Sequence, residues 1–592
     1  MRDSGFCYIP TVPHSLETIS ILSINIYRRF KVLDIKSQLI GIIKTAVKSV
    51  ATRLDISELP EVTLEVPKKR DIADLSTNIA MQICKAKKGL KPLEIAEGIS
   101  ESIRSGIEEN SFNDMIKAVE VKPPGFINFL FSNNYLQSIV EQILSKGTDF
   151  GRNTQENNKK VLLEFVSANP TGPLSVAHGR QAAIGDVLAN ILEFSGFRVT
   201  REYYLNDEGN QIELLGRSIY ARYCELSGEA CVFPEAGYRG EYIYDVAKEI
   251  IEKHDKSLVA LDDKNISFFS DFGTKYIMDG IRKDLLAFSV RFDSYYSQHK
   301  LSKSGKVEEA LKELKEKGFL YEKDGALWFS STRFGDDKDR VLRKSDGTYT
   351  YITPDIAYHQ DKFSRGFDML IDLWGPDHHG YIPRMKAACQ AIGKDEKLLH
   401  VLIIQLATLS RSGRPVRMST REGEFITLRE VIDEVGKDVT RFFFLTRRRD
   451  SHLDFDLELA KKESMENPVF YIQYAHARIC GILEHKGKQG KASARGEGKT
   501  LDMLCAKEEL NILRTLREFP EVIEESVQRL EPYRLIAYLM ELASVFHVFY
   551  SKHRVVGDDA DLTSARLILI ESLKVVFSQA LALLGVSCPD KM

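Results

Sequence analysis

Apolar residues between Ile35 and Leu54 recur at the three- and four-residue spacing that lines one face of a helix. Val62-Thr-Leu-Glu-Val66 then alternates like a half-buried strand, and Pro67 ends it. A polar stretch from Thr148 to Lys160, with Gly151, Asn153, Asn157 and Asn158, reads as a linker. Behind it, Val161-Leu-Leu-Glu-Phe-Val166 is an apolar run of buried-strand type, Asn169-Pro-Thr-Gly-Pro173 is a turn, and helical spacing resumes from about His178 to Phe194. Strand, tight loop and helix in that order form the opening unit of a nucleotide-binding α/β domain.

The span from about Leu214 to Gly335 reads as helices and loops inserted into that domain. Strand-like runs return at Tyr349–Ile352, Met369–Trp374 and Val401–Ile404, and their alternation with helices predicts a parallel sheet. Beyond about Asp456 the pattern is helical to the end, apart from a lysine- and glycine-rich break from Lys486 to Lys499. Leu567 to Leu584 keeps helical periodicity, interrupted by Glu571 and Gln579. The chain is therefore expected to be multidomain, α/β plus all-α. Residues 1–32 form an extension and 33–150 a small α/β domain. Residues 151–455 form a parallel-sheet domain with an insertion (about 214–335), and 456–592 a helical bundle.

Composition agrees with that count, since 592 residues suggest roughly three or four domains. Hydrophobic residues at 43% and charged residues at 28% are enough for sizeable cores. The net charge of −3 does not exclude nucleic acid, because binding follows the clustering of basic residues rather than their sum. Lys68, Lys69, Arg70, Lys85, Lys87, Lys88 and Lys91 are one such cluster, although taken alone a solvated face is the simpler reading of them. Cys7, Cys84, Cys224, Cys231, Cys389, Cys480, Cys505 and Cys588 are scattered without a C-x-x-C pair or zinc-finger spacing. They read as reduced thiols of a cytoplasmic protein. No apolar run reaches the roughly 18–20 residues that span a bilayer. Ile19 to Ile26 is apolar but follows Glu17 and lacks a cleavage site.

The turn Asn169-Pro-Thr-Gly-Pro173 places the free N–H groups of the following helix at the crevice above the sheet, where they can hold a phosphate. His178 and Arg180 in the first turn could add donors. Such a turn is often purely structural, and its flanks give it meaning. Glu164-Phe-Val-Ser-Ala-Asn169-Pro-Thr-Gly-Pro, His178-Gly-Arg180 and Gly185-Asp186 together resemble the ATP-binding opening of arginyl-tRNA synthetases, with its H-x-G-H class I signature. The resemblance continues through Tyr204-Leu-Asn-Asp-Glu-Gly-Asn-Gln211, Tyr351-Ile-Thr-Pro-Asp-Ile-Ala-Tyr358, Asp377-His-His-Gly-Tyr381 and Gly436-Lys-Asp-Val439. It closes with Asn467-Pro-Val-Phe-Tyr-Ile-Gln-Tyr-Ala-His-Ala-Arg478 and Ala580-Leu-Ala-Leu-Leu-Gly-Val586, and so covers about 33–592 in order.

This resemblance implies an N-terminal domain that touches the tRNA elbow, a Rossmann-like catalytic domain and a helical anticodon-binding domain. It implies ATP with Mg²⁺ as a substrate complex, L-arginine and tRNA(Arg) as partners, no prosthetic group or resident metal, no membrane and a monomer. A guanidinium offers five donors and a permanent charge, so its pocket needs carboxylates. Glu164 and Asp355 match the acidic positions, Tyr351 would close over the planar group, and Asn169 and Ser175 would meet the amino-acid end. Ser175, Ala177, His178, Gly179, Asp186 and Met418 match the ATP site. His178 and the loop residues Arg417, Ser419 and Arg421 would stabilise charge on the phosphates. For tRNA the candidates are Arg447, Arg448, Phe546, Tyr550 and Arg554, since aromatics beside arginine stack on unpaired bases. The family's adenylate then passes the arginyl group to the terminal 2′-hydroxyl, with tRNA required before the amino acid is activated.

Three positions depart from the family pattern: Ser175 replaces the first histidine of H-x-G-H, Ala177 its glycine, and Thr420 the second lysine of K-M-S-K. A serine hydroxyl reaches the phosphates less well, and the Ala177 methyl crowds the nucleoside. A paralogue that only binds tRNA is the rival reading, opposed by Glu164, Asn169, Tyr351 and Asp355, which such a protein would not need. A synthetase for another amino acid would lack Glu164 and Asp355. Ser175→His is expected to keep or raise the rate of arginine charging, because it restores a donor; a loss beyond about tenfold would show a site adapted around the serine.

Overall fold

A computed structural model describes residues 35–592, apart from 57, 68–71, 88, 111, 154–157, 255–257, 259–262, 417–425 and 489–499. The expected extension, the basic residues Lys68, Lys69, Arg70 and Lys88, and most of the Lys486–Lys499 break lie outside the described residues. The chain divides into two compact units, one ending at Ile139 and the other Val140–Met592.

In the first unit, helix Ile35–Arg53 buries Leu39, Ile43, Ala46, Val47 and Val50, which is the face that its periodicity announced. It packs on helix Pro92–Glu109, whose Gly106 leaves room for Ile42; a Cβ there would lie 2.8 Å from Ile42 Cγ2. A three-stranded antiparallel sheet runs in the order Leu75–Thr77, Phe126–Phe131, Ile116–Lys122. The alternation at Val62–Val66 yields only an isolated bridge between Glu65 and Ser76. Val62 and Leu64 are nevertheless buried, so side-chain burial satisfies the pattern without a hydrogen-bonded ladder.

The second unit is built on a five-stranded parallel sheet in the order Leu399–Ile403, Met369–Trp374, Lys160–Glu164, Arg198–Leu205, Ser294–Ser297. Chain order reverses between Lys160–Glu164 and Met369–Trp374, the switch point at which doubly wound sheets bind ligands. The edge strand Ser294–Ser297 falls within 214–335, so part of the span read as an insertion belongs to the main sheet. Tyr349–Ile352 is not a strand. Its β-branched and aromatic residues suggest one, but helix Ile352–Ser364 begins there. Pro354 is tolerated in the first turn, where its missing N–H costs no intrahelical bond, and Asp355 favours the positive helix end.

After Asp456 come helices Pro468–Lys488, Lys507–Arg529, Tyr533–Lys552 and Ala560–Leu584. The last is long and apolar enough to cross a membrane by length and composition, yet Leu569, Ile570, Leu573, Val576 and Phe577 are all buried within the bundle. The scattered cysteines bring one surprise, a disulfide between Cys224 and Cys231 where reduced thiols were expected. Gly228, left-handed at φ 85°, ends helix Asn210–Ser227 and turns the chain back toward Cys224.

Arg441 joins the sheet domain to the helical one. Its buried guanidinium donates to Asp186 Oδ2 (2.5 Å), Phe288 O (2.9 Å) and Leu584 O (3.1 Å). Gly585 is required beside it, with φ +65° and a virtual Cβ only 2.4 Å from Arg441 Nη2. Arg441→Ala leaves Asp186 buried without its main cation and should destabilise the second unit by about 3–5 kcal/mol. A urea-unfolding midpoint equal to that of the wild type would refute this assignment.

Candidate active site

Three carboxylates stand in one row across the switch point. Asp372 pairs in register with Glu164 on the neighbouring strand, and Glu164 with Glu202 on the next. Parallel strands about 4.8 Å apart bring such side chains close enough to repel strongly once water is excluded. Helix Ile352–Ser364 covers this face and supplies the answer. Lys362 Nζ donates to Glu164 Oε2 at 2.5 Å and to Asp372 Oδ1 at 2.8 Å. Arg365 makes a bidentate pair with Glu202 at 2.7 and 2.8 Å, joined by the Tyr358 hydroxyl at 2.7 Å. His359 places Nε2 2.9 Å from Asp372 Oδ2 and Nδ1 2.8 Å from Asp355 O.

Electrostatics follow from this geometry. Burial opposes the charge on Asp372, but Lys362 and the His359 hydrogen bond hold it down at about 2. Burial pushes the Glu164 carboxyl up, against the pull of Lys362. Asp355 is also raised by burial, with the Tyr381 hydroxyl donating to its Oδ2 at 2.6 Å. Asp355 belongs to the same helix face but not to the paired row, and no lysine or arginine among the described residues forms an ion pair with it.

The chain leaves Glu164 through Val166 (φ 69°) and Ser167 (φ 40°), two left-handed non-glycine residues. Each such conformation stores about 1–3 kcal/mol and persists only where its surroundings enforce it. Here Ser167 Oγ donates to Glu164 Oε1 (2.9 Å) and accepts from Tyr204 N (3.1 Å), while the Tyr203 hydroxyl holds Ala168 O at 2.7 Å. Asn169 Nδ2 donates to Gln211 Oε1, and the Tyr242 hydroxyl donates to Thr171 O, both at 2.7 Å.

At the start of helix Val176–Phe194, the Ser175 backbone N–H donates to His178 Nδ1 at 3.2 Å, and Ser175 Oγ lies 3.1 Å from the same atom. Nδ1 is therefore an acceptor and the proton of the neutral ring sits on Nε2, where it can be given to a phosphate. Burial holds the ring well below its usual 6.5, at about 4. Ala177 is partly exposed in the same turn.

Several expectations are corrected. Arg180 is fully buried and donates to Gln405 O (2.7 Å), Leu406 O (3.3 Å), Ser451 O (3.0 Å) and Arg448 O (2.9 Å), so it clamps backbone rather than an anion. Asp186 lies two helical turns below His178, paired with Arg441, and is not placed to meet ATP. Gly179 is required by packing, since a Cβ would lie 2.6 Å from Leu428 Cδ1. Tyr351, just before helix Ile352–Ser364, is 78% exposed. Arg417, Met418, Ser419, Thr420 and Arg421 lie outside the described residues. The segment that follows them returns to the site, where Thr427 bridges Ser175 and Leu428 N donates to Leu174 O.

Of the tRNA candidates, Phe546 is 0% exposed and belongs to the bundle core, so it cannot stack on a base. Arg448 is drawn to Glu531 at 2.8 Å. Arg447, Tyr550 and Arg554 are exposed. A cluster missed in the sequence lies beside Tyr550: the Phe470 and Tyr474 rings stack at 5.9 Å, and Arg478 lies 4.9 Å over Tyr474 and 5.9 Å from Tyr550. Also missed were Ser167, Lys362 and His359. The signal was present, because Asp355, His359 and Lys362 repeat at i, i+4 and i+7 on one helix face, but reading Tyr349–Ile352 as a strand hid that stripe.

Comparison with known proteins gives the same arrangement along the chain. Residues 37–131 match the family described as arginyl tRNA synthetase N terminal domain, 139–455 match tRNA synthetases class I (R), catalytic domain, and 472–592 match the DALR anticodon binding domain. The arginine--tRNA ligase of Syntrophotalea carbinolica is 47% identical over 541 residues, 91% of this chain and 96% of that protein. That of Geobacillus kaustophilus is 45% identical over 565 residues, 95% of this chain and 100% of its own. The solved arginyl-tRNA synthetase of Thermus thermophilus has a similar fold, with a TM-score of 0.72 at 20% identity, covering 94% of this chain and 100% of that one.

Because His178 is held at about 4 in the fold against 6.5 when free, the unfolded chain binds its proton more readily between those values. The stability tied to the neutral ring is complete above 6.5 and is lost as pH falls toward 4, with a slope of about 1.4 kcal/mol per pH unit. His178→Asn should flatten the stability–pH curve by that slope in this window; an unchanged curve would acquit His178.

Proposed function

The chain belongs to the arginyl-tRNA synthetase family, and from that premise we propose the roles its residues take in the ATP-dependent ligation of L-arginine to tRNA. It is a class I aminoacyl-tRNA ligase with a Rossmann-like catalytic domain and an anticodon-binding domain. The observation that carries the residue assignment is the imbalance at the switch point. Glu164, Asp372 and Glu202 have cations of the protein's own, whereas Asp355 is met by the Tyr381 hydroxyl and, among the described residues, by no lysine or arginine.

The substrate guanidinium meets Asp355 and the remaining acceptor capacity of Glu164, and Tyr351 closes over it from its exposed position. Asn169 and Ser175 orient the α-amino and carboxylate end. ATP enters as its Mg²⁺ complex, a substrate, with its phosphates against the N-terminus of helix Val176–Phe194. His178 donates from Nε2, and Arg417, Ser419 and Arg421 oppose charge on the departing pyrophosphate. The arginine carboxylate attacks the α-phosphate, pyrophosphate leaves, and the tRNA 2′-hydroxyl then displaces AMP. Such chemistry needs positioning and charge stabilisation more than acid–base groups.

The aromatic–arginine surface of Tyr474, Arg478 and Tyr550 is the part of the helical domain we assign to unpaired tRNA bases, together with Arg447 and Arg554. The domain limits 33–150, 151–455 and 456–592, a monomeric state and a cytoplasmic location complete the reading.

Charging of total tRNA with labelled arginine, with and without ATP and with lysine as control, tests it; tRNA binding without ATP-dependent charging would favour a non-catalytic paralogue. Asp355→Ala should raise the KM for arginine at least about thirtyfold, since it removes the partner of a buried charge, and leave that for ATP nearly unchanged. Equal effects on both would remove Asp355 from the pocket.

A further inference from the structure

Lys362 is a fully buried cation beside the site, with 0% exposure, and nothing in the reaction described above uses it. A lysine buried without water is costly unless its partners are close, and here they are. Glu164 lies at 2.5 Å, Asp372 at 2.8 Å, and the Tyr358 ring 4.3 Å beneath the ammonium. This cage suits a compact ammonium with three donors, and Lys362 occupies it from inside the protein. Asp355 lies outside the cage and forms no ion pair with a lysine or arginine among the described residues.

We propose that Lys362 is a specificity-determining positioning residue of the arginine pocket. Its ammonium fills the slot between Glu164 and Asp372 that the ammonium of a substrate lysine would otherwise take, and it aims Glu164 at a guanidinium. The proposal rests on the arginine-ligase reading above. A tethered cation competes at an effective concentration that free lysine cannot match, so the slot is closed by connectivity rather than by shape alone. The remaining acceptors, Asp355 and the unused lone pairs of Glu164, come from different elements, helix Ile352–Ser364 and strand Lys160–Glu164. A five-donor guanidinium can span them, while a single ammonium satisfies one and strands the other.

The row of carboxylates also provides an internal control. Arg365 neutralises Glu202 in the same layer but makes no contact with Glu164. If these cations serve stability alone, Lys362 and Arg365 should behave alike.

The test compares Lys362→Ala, Asp372→Asn and Arg365→Met with wild type, measuring melting temperature, the KM for arginine and for ATP in tRNA charging, and inhibition by L-lysine. Lys362→Ala is expected to raise the arginine KM about tenfold or more with the ATP KM nearly unchanged, and to become inhibitable by lysine competitively against arginine. Addition of propylammonium, which refills the slot, should reverse both effects. Arg365→Met should lower the melting temperature and leave the arginine KM alone. An arginine KM unchanged in Lys362→Ala, equal losses in both KM values, or no inhibition by lysine would overturn the proposal. Should Lys362→Ala fail to fold, Asp372→Asn decides: it releases one end of the lysine, so an unchanged arginine KM counts against the proposal and a selective rise supports it. A wild type that charges no arginine would instead sink the ligase reading, which keeps the two failures apart.

Discussion

Three acids on adjacent parallel strands at one register are the constraint around which this protein is organised. Asp372, Glu164 and Glu202 would repel one another in a layer from which water is largely excluded, and the sheet could not close over them unaided. Helix Ile352–Ser364 and its cap settle the charge with Lys362 and Arg365. The same helix presents Asp355, so one element both neutralises the row and carries a carboxylate with no lysine or arginine paired to it among the described residues. The Lys362 pairs anchor that helix across Glu164 and Asp372, and the Arg365 pair fastens its C-terminal end to Glu202.

The second device is the use of buried guanidiniums as joints. Arg180 gathers four carbonyls, from Gln405, Leu406, Arg448 and Ser451, and Arg441 ties helix Val176–Phe194 to the end of the last helix. Five fixed donors suit this task, because loop and helix-end carbonyls must find partners once buried. Between these joints, the strained Val166–Ser167 turn and the Ser175–His178 contact hold the connection from strand Lys160–Glu164 to helix Val176–Phe194 in a defined geometry. Strain there is tolerable because neighbouring hydrogen bonds enforce it.

How far the sequence could be read depended on the range of the interaction concerned. Helix Ile35–Arg53, strand Met369–Trp374 and the turn before His178 were legible, since periodicity and turn chemistry act within a few residues. Arg180 and Asp186 carried the right motif and the wrong role, because their partners lie more than 200 residues away. Phe546 belongs to an aromatic-rich helix that precedes Arg554 in sequence yet is packed in the core, a distinction that amphipathic spacing cannot draw for a helix with apolar residues on several sides. Cys224 and Cys231 met through a left-handed glycine turn that spacing rules do not describe.

By itself, then, the sequence determined the order of domains, the strand–turn–helix opening and the set of acidic, basic and hydroxyl groups from which a guanidinium and a nucleotide could be held. Only the tertiary structure decided which of those groups are free to act. Charge pairing is settled across strands and helices remote in sequence: Lys362 cancels Glu164 and Asp372, Arg441 absorbs Asp186, and Asp355 is met by the Tyr381 hydroxyl. A carboxylate's role depends on whether a buried cation already stands within hydrogen-bond reach, and local sequence holds no record of that distance.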